Sequence, residues 1–353
     1  MMEALLEVSW IYLLLAAFAG GAFGASIGAL PAFIFTGFMV IAGEAGGLGG
    51  VTGEIAFGAV FGPHISFAGG AAAAAYAAKQ GYMDTGFDFH EAKNITYAFG
   101  TKVDVLVVGG LFGILGLVIT AVSAGFALPW DPIAIAVVLS ALLHRAFLGY
   151  SVIGKVHGNG VLDMTPFERE EKKPSAEGTV DDHVKKATDR FAVEPWLPHQ
   201  YTWGSVAFLG LIAGILGAFI AIATGSPFLA FGISAASLFF LNLGVANFPV
   251  THHITLPAST AALAYMATVG SPIESAGMLG DLADGTVFMG LVVGSVFGLI
   301  CAVFGEFFQR IFYAQGDTHV DPPAAAIVFG TLLIAVLYFA GAFSTGVWVP
   351  GTV

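Results

Sequence analysis

Charged side chains are scarce in this sequence. Only 10% of its 353 residues are Asp, Glu, Lys or Arg, whereas 57% are hydrophobic. A water-soluble domain carries about 25% charged residues, and its interior cannot hide so much apolar sequence. The composition therefore excludes a soluble globular protein. Apolar runs of about 20 residues recur along the chain, which indicates a polytopic α-helical membrane protein in contact with a lipid bilayer.

Cysteine is almost absent as well. The one cysteine, Cys301, excludes an intrachain disulfide and an all-cysteine metal site. No Walker or Rossmann glycine pattern occurs in a strand–turn–helix context. No lysine lies deep in a predicted crossing, which argues against a retinal Schiff base. We therefore predict no cofactor, no bound metal and no nucleic-acid partner.

Basic residues are outnumbered two to one by acidic residues. The sequence has 12 Lys and Arg against 24 Asp and Glu, which gives a formal net charge of −12. Acidic loops with few lysines suit a protein surrounded by high salt, as in haloarchaea, because such a surface stays solvated.

The two halves of the chain resemble each other. Three collinear matches relate them: His64–Ala78 with His253–Ala267, Val107–Gly109 with Val292–Gly294, and Asp131–Pro132 with Asp321–Pro322. Each half contains five apolar segments. We predict an all-α integral membrane protein made of two tandem five-segment repeats, residues 1–150 and 203–353. A polar linker, residues 151–202, joins them and is predicted to contain a short amphipathic helix beginning at Thr179.

The distribution of basic residues predicts the topology. Five crossings per repeat invert the second repeat relative to the first. If both termini lie outside the cell membrane, all 12 basic residues lie in inner loops or near an inner helix end, as the positive-inside rule requires. The linker is then cytoplasmic. An alternative with four crossings per repeat and parallel repeats leaves only Arg310 outside.

Helix-breaking residues interrupt the third segment of each repeat. Gly62 and Pro63 precede His64, while Pro249 and Pro257 flank His252 and His253. Backbone groups freed at such breaks must face protein or a wet cavity, and inverted-repeat transporters place their sites there. The residues predicted to line a substrate pathway are Pro63, His64, Ser66, His252, His253, Thr255 and Ser259. The alternative is that each histidine only ties down broken backbone.

Glycine is abundant, with 48 residues. The glycines predicted to form one helix-packing face in the first segment are Gly20, Gly21, Gly24 and Gly28. Small residues allow membrane helices to approach closely, within a subunit or in a homo-oligomer, which we expect here.

Three phrases carry a resemblance to a known family. They are Gly-Ala-Leu-Pro-Ala-Phe-Ile-Phe-Thr-Gly-Phe from Gly28, Phe-Gly-Pro-His-Ile from Phe61, and Trp-Leu-Pro-His-Gln-Tyr from Trp196. The chain resembles a family of uncharacterised haloarchaeal membrane proteins over nearly its whole length, a resemblance that implies no activity. In architecture alone, five-plus-five inverted repeats with central histidines are similar to the ammonium and urea channels, whose full signatures are absent here.

The leading functional hypothesis is a transporter or channel for a small solute or ion, with the pathway between the repeats. A structural protein whose glycine-rich helices drive oligomerisation is the alternative. A membrane-embedded enzyme using His252 and His253 is a third hypothesis, but it lacks a recognisable acid, nucleophile or ligand set. We therefore predict that the protein is not an enzyme.

Overall fold

The fold is built from α-helices and short π-helical segments. The computed structural model describes residues 8–173, 190–271 and 284–352, and these ranges contain no β-strand, only one isolated bridge between Lys172 and Phe191. The α-helices are α1 (Val8–Ile27), α2 (Ala29–Ala45), α3 (Ala68–Lys79), α4 (Val103–Gly125), α5 (Pro132–Leu148), α6 (Thr165–Glu168), α7 (Trp203–Thr224), α8 (Leu229–Asn242), α9 (His252–Thr268), α10 (Asp284–Phe312) and α11 (Pro322–Phe339).

Six of these helices, α1, α2, α4, α7, α10 and α11, are long and apolar enough to cross a membrane. Helices α5 and α8 are apolar but shorter. The membrane-protein class predicted from composition is therefore confirmed at this level. The amphipathic helix predicted in the linker falls mainly on residues 174–189, outside the described ranges.

Local sequence determines where the helices begin. Both α5 and α11 start with an Asp-Pro pair, in which the proline occupies the first turn, where its missing N–H is no loss. The Asp131 carboxylate accepts hydrogen bonds from the N–H groups of Ile133 and Ala134. The Asp321 carboxylate accepts one from Ala324. Each aspartate thus caps its own helix.

The third segment of the first half is broken. A π-helix, Val51–Ala56, is followed by turns, by a second π-helix, Pro63–Phe67, and only then by α3. The freed carbonyl of Phe61 accepts hydrogen bonds from the hydroxyls of Thr36 and Ser66. In the second half, the prediction of an interruption at Pro257 is wrong, because α9 is continuous from His252 to Thr268. Pro257 lies inside this helix and only lacks the N–H that would donate to the preceding turn.

The two halves show the same pattern of helix contacts. Helix α1 packs on α3 and α4, and α7 packs on α9 and α10. Likewise α5 packs on α3 and α4, and α11 packs on α9 and α10. Contacts between the halves are made by α2 with α8 and by α5 with α11.

Glycines permit the closest helix approaches. A Cβ added to Gly21 would lie 2.2 Å from the carbonyl oxygen of Gly109 in α4, and one added to Gly20 would lie 2.5 Å from that of Val60. A Cβ on Gly24 would lie 2.0 Å from the oxygen of Ser66. Gly28 has φ +97, in the left-handed region, at the tight junction of α1 and α2.

Candidate functional site: a cavity between the halves

A cavity of about 630 Å³ lies between the two halves. Its walls come from α2, α5, α8, α9 and α11, from the broken segment 57–67, and from four other regions, 85–96, 196–197, 313–321 and 348–350. Most of the lining side chains are apolar, and many are aromatic. The polar and charged side chains on the wall include Lys93, Asp131, His252, Tyr313, His319 and Asp321. A mainly apolar cavity with a few convergent polar groups is the usual form of a small-molecule site.

The structure places two of the predicted pathway residues, Pro63 and His252, on the cavity wall. The other five are buried, His64 and Ser66 in the π-helix Pro63–Phe67, and His253, Thr255 and Ser259 in α9. The His253 ring packs against Trp196, with ring centroids 5.9 Å apart. His64 is buried beside Gly62 and Gly116.

Three predicted hydroxyl residues bond to backbone carbonyls. Ser66 donates to Phe61, Thr255 to His252 and Ser259 to Gly217. The first two bonds are local, whereas the bond from Ser259 joins α9 to α7, and all three residues are buried. Part of the predicted set therefore shares a cavity, and the remainder is packed within the halves.

The imidazole of His252 packs between an aromatic ring of each half. Its centroid lies 4.8 Å from that of Phe33 in α2 and 5.9 Å from that of Phe231 in α8. Its Nδ1 has no hydrogen-bond partner among the described residues. His252 therefore offers an imidazole with spare hydrogen-bonding capacity at a wall made by both halves.

Asp131 lies at mid-height of the helix bundle. Its backbone N–H donates to the hydroxyl of Thr331, 2.9 Å away. Thr331 is nine residues into α11, or about 13 Å from its start at a rise of 1.5 Å per residue. The start of α5 therefore lies beside the middle of α11, not at its end.

A buried cluster of charges adjoins the cavity wall at Lys93. Lys93 and Glu194 form an ion pair of 2.7 Å in which both side chains have 0% exposure. The Lys93 ammonium also lies 4.4 Å from the ring centre of Tyr313. Glu194 binds further to the N–H of His90, and its own N–H donates to Ala314. This pair thus joins three loops beside the cavity wall.

The opposite charges in this cluster stabilise one another's ionised forms. Burial lowers the pKa of Lys93 to about 8, which leaves the ammonium charged at neutral pH. Burial alone would raise the pKa of Glu194, but the charges of Lys93 and Arg190 outweigh it and lower that pKa. Arg190 also binds Asp317, at 2.6 Å, and Lys173 approaches the same carboxylate at 3.3 Å.

The lowered carboxylate pKa values predict acid sensitivity. Burial would raise the pKa of Asp317, but neighbouring cations including Arg190 and Lys173 hold it well below its ordinary value of about 3.9. Below about pH 5 the unfolded chain takes up protons that the folded protein excludes, so stability falls with falling pH. We expect a thermal midpoint that declines between about pH 5 and pH 3, and less steeply in Asp317→Asn. An equal decline in that variant would contradict this assignment.

Sequence reasoning missed several cavity residues. Asp131 and Asp321 were recognised as a repeat match but not as site residues. Their signal was present, because an Asp-Pro pair starting a helix in both halves marks two helix N-termini. Lys93 and Glu194 gave no such signal, since their pairing joins residues 101 positions apart.

The helices and the cavity define an all-helical membrane protein with a central cavity between two similarly packed halves. Residues 3–352 match the Family of unknown function (DUF7973), and the chain belongs to that family. Searches of curated proteins and of solved structures found no match.

Proposed function

We propose that the protein is a membrane transporter or channel for a small solute or ion, with the central cavity as part of its pathway. The observation that carries this proposal is the cavity itself, which both halves enclose and which holds polar groups at mid-height of the bundle. We propose no catalytic role for His252 and His253 as a pair, since only His252 lines the cavity while His253 packs on Trp196.

An inverted repeat fits the contacts between the halves. A Cβ on Gly37 would meet Ala235, and a Cβ on Gly232 would meet Val40. Gly37 and Gly232 are 195 positions apart, and so are Val40 and Ala235, so we treat each pair as equivalent in the repeat. The glycine of each half then contacts the equivalent residue of the other half, and a twofold axis requires such reciprocal contacts. We propose a pseudo-twofold axis between α2 and α8, about which alternating access would occur.

The basic cluster supports the proposed orientation. Lys93, Lys173 and Arg190 meet at one end of the bundle. Glu44, which accepts hydrogen bonds from Thr52 and Ser226, lies at the opposite end of α2 from Leu30, whose N–H binds Ile95 beside Lys93. We propose that the basic end is cytoplasmic and that both termini lie outside.

Cysteine modification tests the pathway. The protein is reconstituted in liposomes, and flux is measured by light scattering across a panel of neutral, cationic and anionic small solutes. Ile133→Cys places a thiol on the cavity wall, whereas Leu139→Cys, on the same helix, lies outside the lining and is 38% exposed. The native Cys301 is buried, so it remains as background.

We expect N-ethylmaleimide to stop most of the flux through Ile133→Cys and to leave Leu139→Cys active, because only the former thiol is in the path. Flux that persists after complete labelling of Ile133→Cys contradicts the pathway. Absence of flux for every solute, with an intact homo-oligomer in detergent, would instead favour the structural alternative.

A further inference from the structure

Three charged residues line the cavity wall: Lys93, Asp131 and Asp321. They differ in whether a partner of opposite charge lies beside them. The Lys93 charge is neutralised by Glu194 at 2.7 Å. The two aspartates remain, and both lie at the N-terminus of a helix. A helix N-terminus supplies about half a positive charge, which offsets only part of a carboxylate.

The two aspartates occupy equivalent positions of the proposed repeat but have different partners. Asp321 accepts a hydrogen bond from Nε2 of His319 at 3.1 Å, in addition to its helix cap. At the offset of 190 that relates the aspartates, Pro129 replaces His319 in the first half. Proline has no side-chain donor. The Asp131 carboxylate therefore lacks the partner that Asp321 has.

One oxygen of Asp131 is free to bind a ligand. Oδ1 accepts both helix-capping hydrogen bonds, whereas Oδ2 accepts none from the described part of the chain. No cationic side chain in these ranges lies within ion-pair distance of it. Asp131 is nevertheless only 6% exposed. A buried carboxylate without a counter-charge is costly, so a cation from outside the chain would stabilise it.

The other wall residues decide which kind of cation fits. Aromatic side chains of both halves line the same cavity, among them Phe33, Phe57, Phe67, Phe228, Phe231 and Trp348. Hard metal ions such as Ca²⁺ need six to eight oxygen ligands. The described residues contain no group of three or more His, Cys, Asp or Glu that could hold a metal. Aromatic faces instead attract weakly hydrated organic ammonium groups.

We propose that Asp131 is the cation-binding carboxylate of the cavity, and that the cavity takes a small organic cation, an ammonium group on an apolar body. The aromatic walls cover the apolar body, and Asp131 Oδ2 faces the charge. This inference rests on the proposed function in one respect, namely that the cavity is the solute path, and it names the class of solute.

Binding to the full-length protein in detergent tests the inference. The probe is benzyltrimethylammonium, and phenylacetate, which carries the opposite charge on a similar body, is the comparison. Calorimetric titration is done on the wild type, Asp131→Asn and Asp321→Asn. Asparagine is as good an N-cap as aspartate, so both variants keep their helix starts while losing a charge. A thermal midpoint near the wild-type value confirms folding.

We expect the wild type to bind benzyltrimethylammonium more tightly than phenylacetate. Asp131→Asn should weaken binding of the cation by about tenfold or more, because a charge–charge attraction is lost in a poorly solvated site. Asp321→Asn, whose carboxylate already has His319, should change it by less than about threefold. Equal affinity of Asp131→Asn and the wild type overturns the inference, as does no binding of the cation at millimolar concentration, or equal binding of phenylacetate.

Flux measurements separate this inference from the proposed function. The wild type and Asp131→Asn could transport neutral solutes equally well and also bind benzyltrimethylammonium with equal affinity. In that case the transport proposal stands and the cation site falls. If the probe binds through Asp131 but no solute crosses, the cation site stands and the transport proposal falls.

Discussion

Replacing Gly24 with alanine is expected to lower the free energy of unfolding by more than about 3 kcal/mol, at the upper end of what overpacking costs. The new Cβ would lie 2.0 Å from the carbonyl oxygen of Ser66, with the carbon and Cα of Ser66 within 2.9 Å. These are backbone atoms of the π-helix Pro63–Phe67, which runs directly into α3, so no side-chain rotation can relieve the clash. Unfolding in mixed micelles, followed by circular dichroism, measures the loss.

Two other glycine-to-alanine substitutions serve as comparisons, and their expected losses of unfolding free energy can be ranked against that of Gly24→Ala. Gly217 occupies the corresponding contact in the second half, where a Cβ would lie 2.9 Å from the oxygen of Thr255. Gly217→Ala should therefore cost less than Gly24→Ala. Gly204, in the first turn of α7, has nothing within 4 Å, so Gly204→Ala should be neutral or stabilising by up to about 1 kcal/mol. A loss in Gly204→Ala as large as in Gly24→Ala would refute the packing explanation.

Much of the fold could be predicted because the relevant signals are local. Long apolar runs mark α4 and α7, and the Asp-Pro pairs mark the starts of α5 and α11. The break before His64 follows from Gly62-Pro63, and the structure begins a π-helix at Pro63. Composition and helix-breaking residues act over a few positions, so the sequence alone contains this information.

The cavity was harder to predict because distant segments form it. The alignment of the halves singled out His253, but the structure places His252 on the wall and packs His253 against Trp196. Neighbouring residues on a helix point about 100° apart, so a shift of one position decides which ring faces the cavity. That direction is determined by α2, α8 and the linker, none of which the alignment includes.

The loops beside Lys93 show the same limitation. Lys93 is the last residue of a short 3₁₀ helix, Glu91–Lys93, in an otherwise irregular segment, and Glu194 lies in the linker. In the sequence both residues are indistinguishable from ordinary surface charges. Only the folding of three loops onto one another removes both charges from water. The cost of removing them from water is then offset only while the two charges stay paired.

Breaking that pair should have a large effect. Lys93→Met is expected to lower the free energy of unfolding by about 3 kcal/mol or more, the range found when a buried pair loses one partner. It leaves the Glu194 carboxylate, with a side-chain exposure of 0%, with Arg190 at 3.6 Å as its remaining ion-pair partner in the described ranges, besides the hydrogen bond from the His90 N–H. Because Lys93 also lines the cavity, the variant should alter solute flux under conditions in which it remains folded.

The control is the pair of Arg169 and Glu171, whose side chains are 62% and 44% exposed. Arg169→Met should leave the unfolding midpoint nearly unchanged, because exposed pairs contribute little. Combining Lys93→Met with Glu194→Gln should cost less than the sum of the two single changes, since the second removes the charge that the first leaves unpaired. Strict additivity would mean that Lys93 and Glu194 do not interact, and the contacts among these three loops would then need another source of stability.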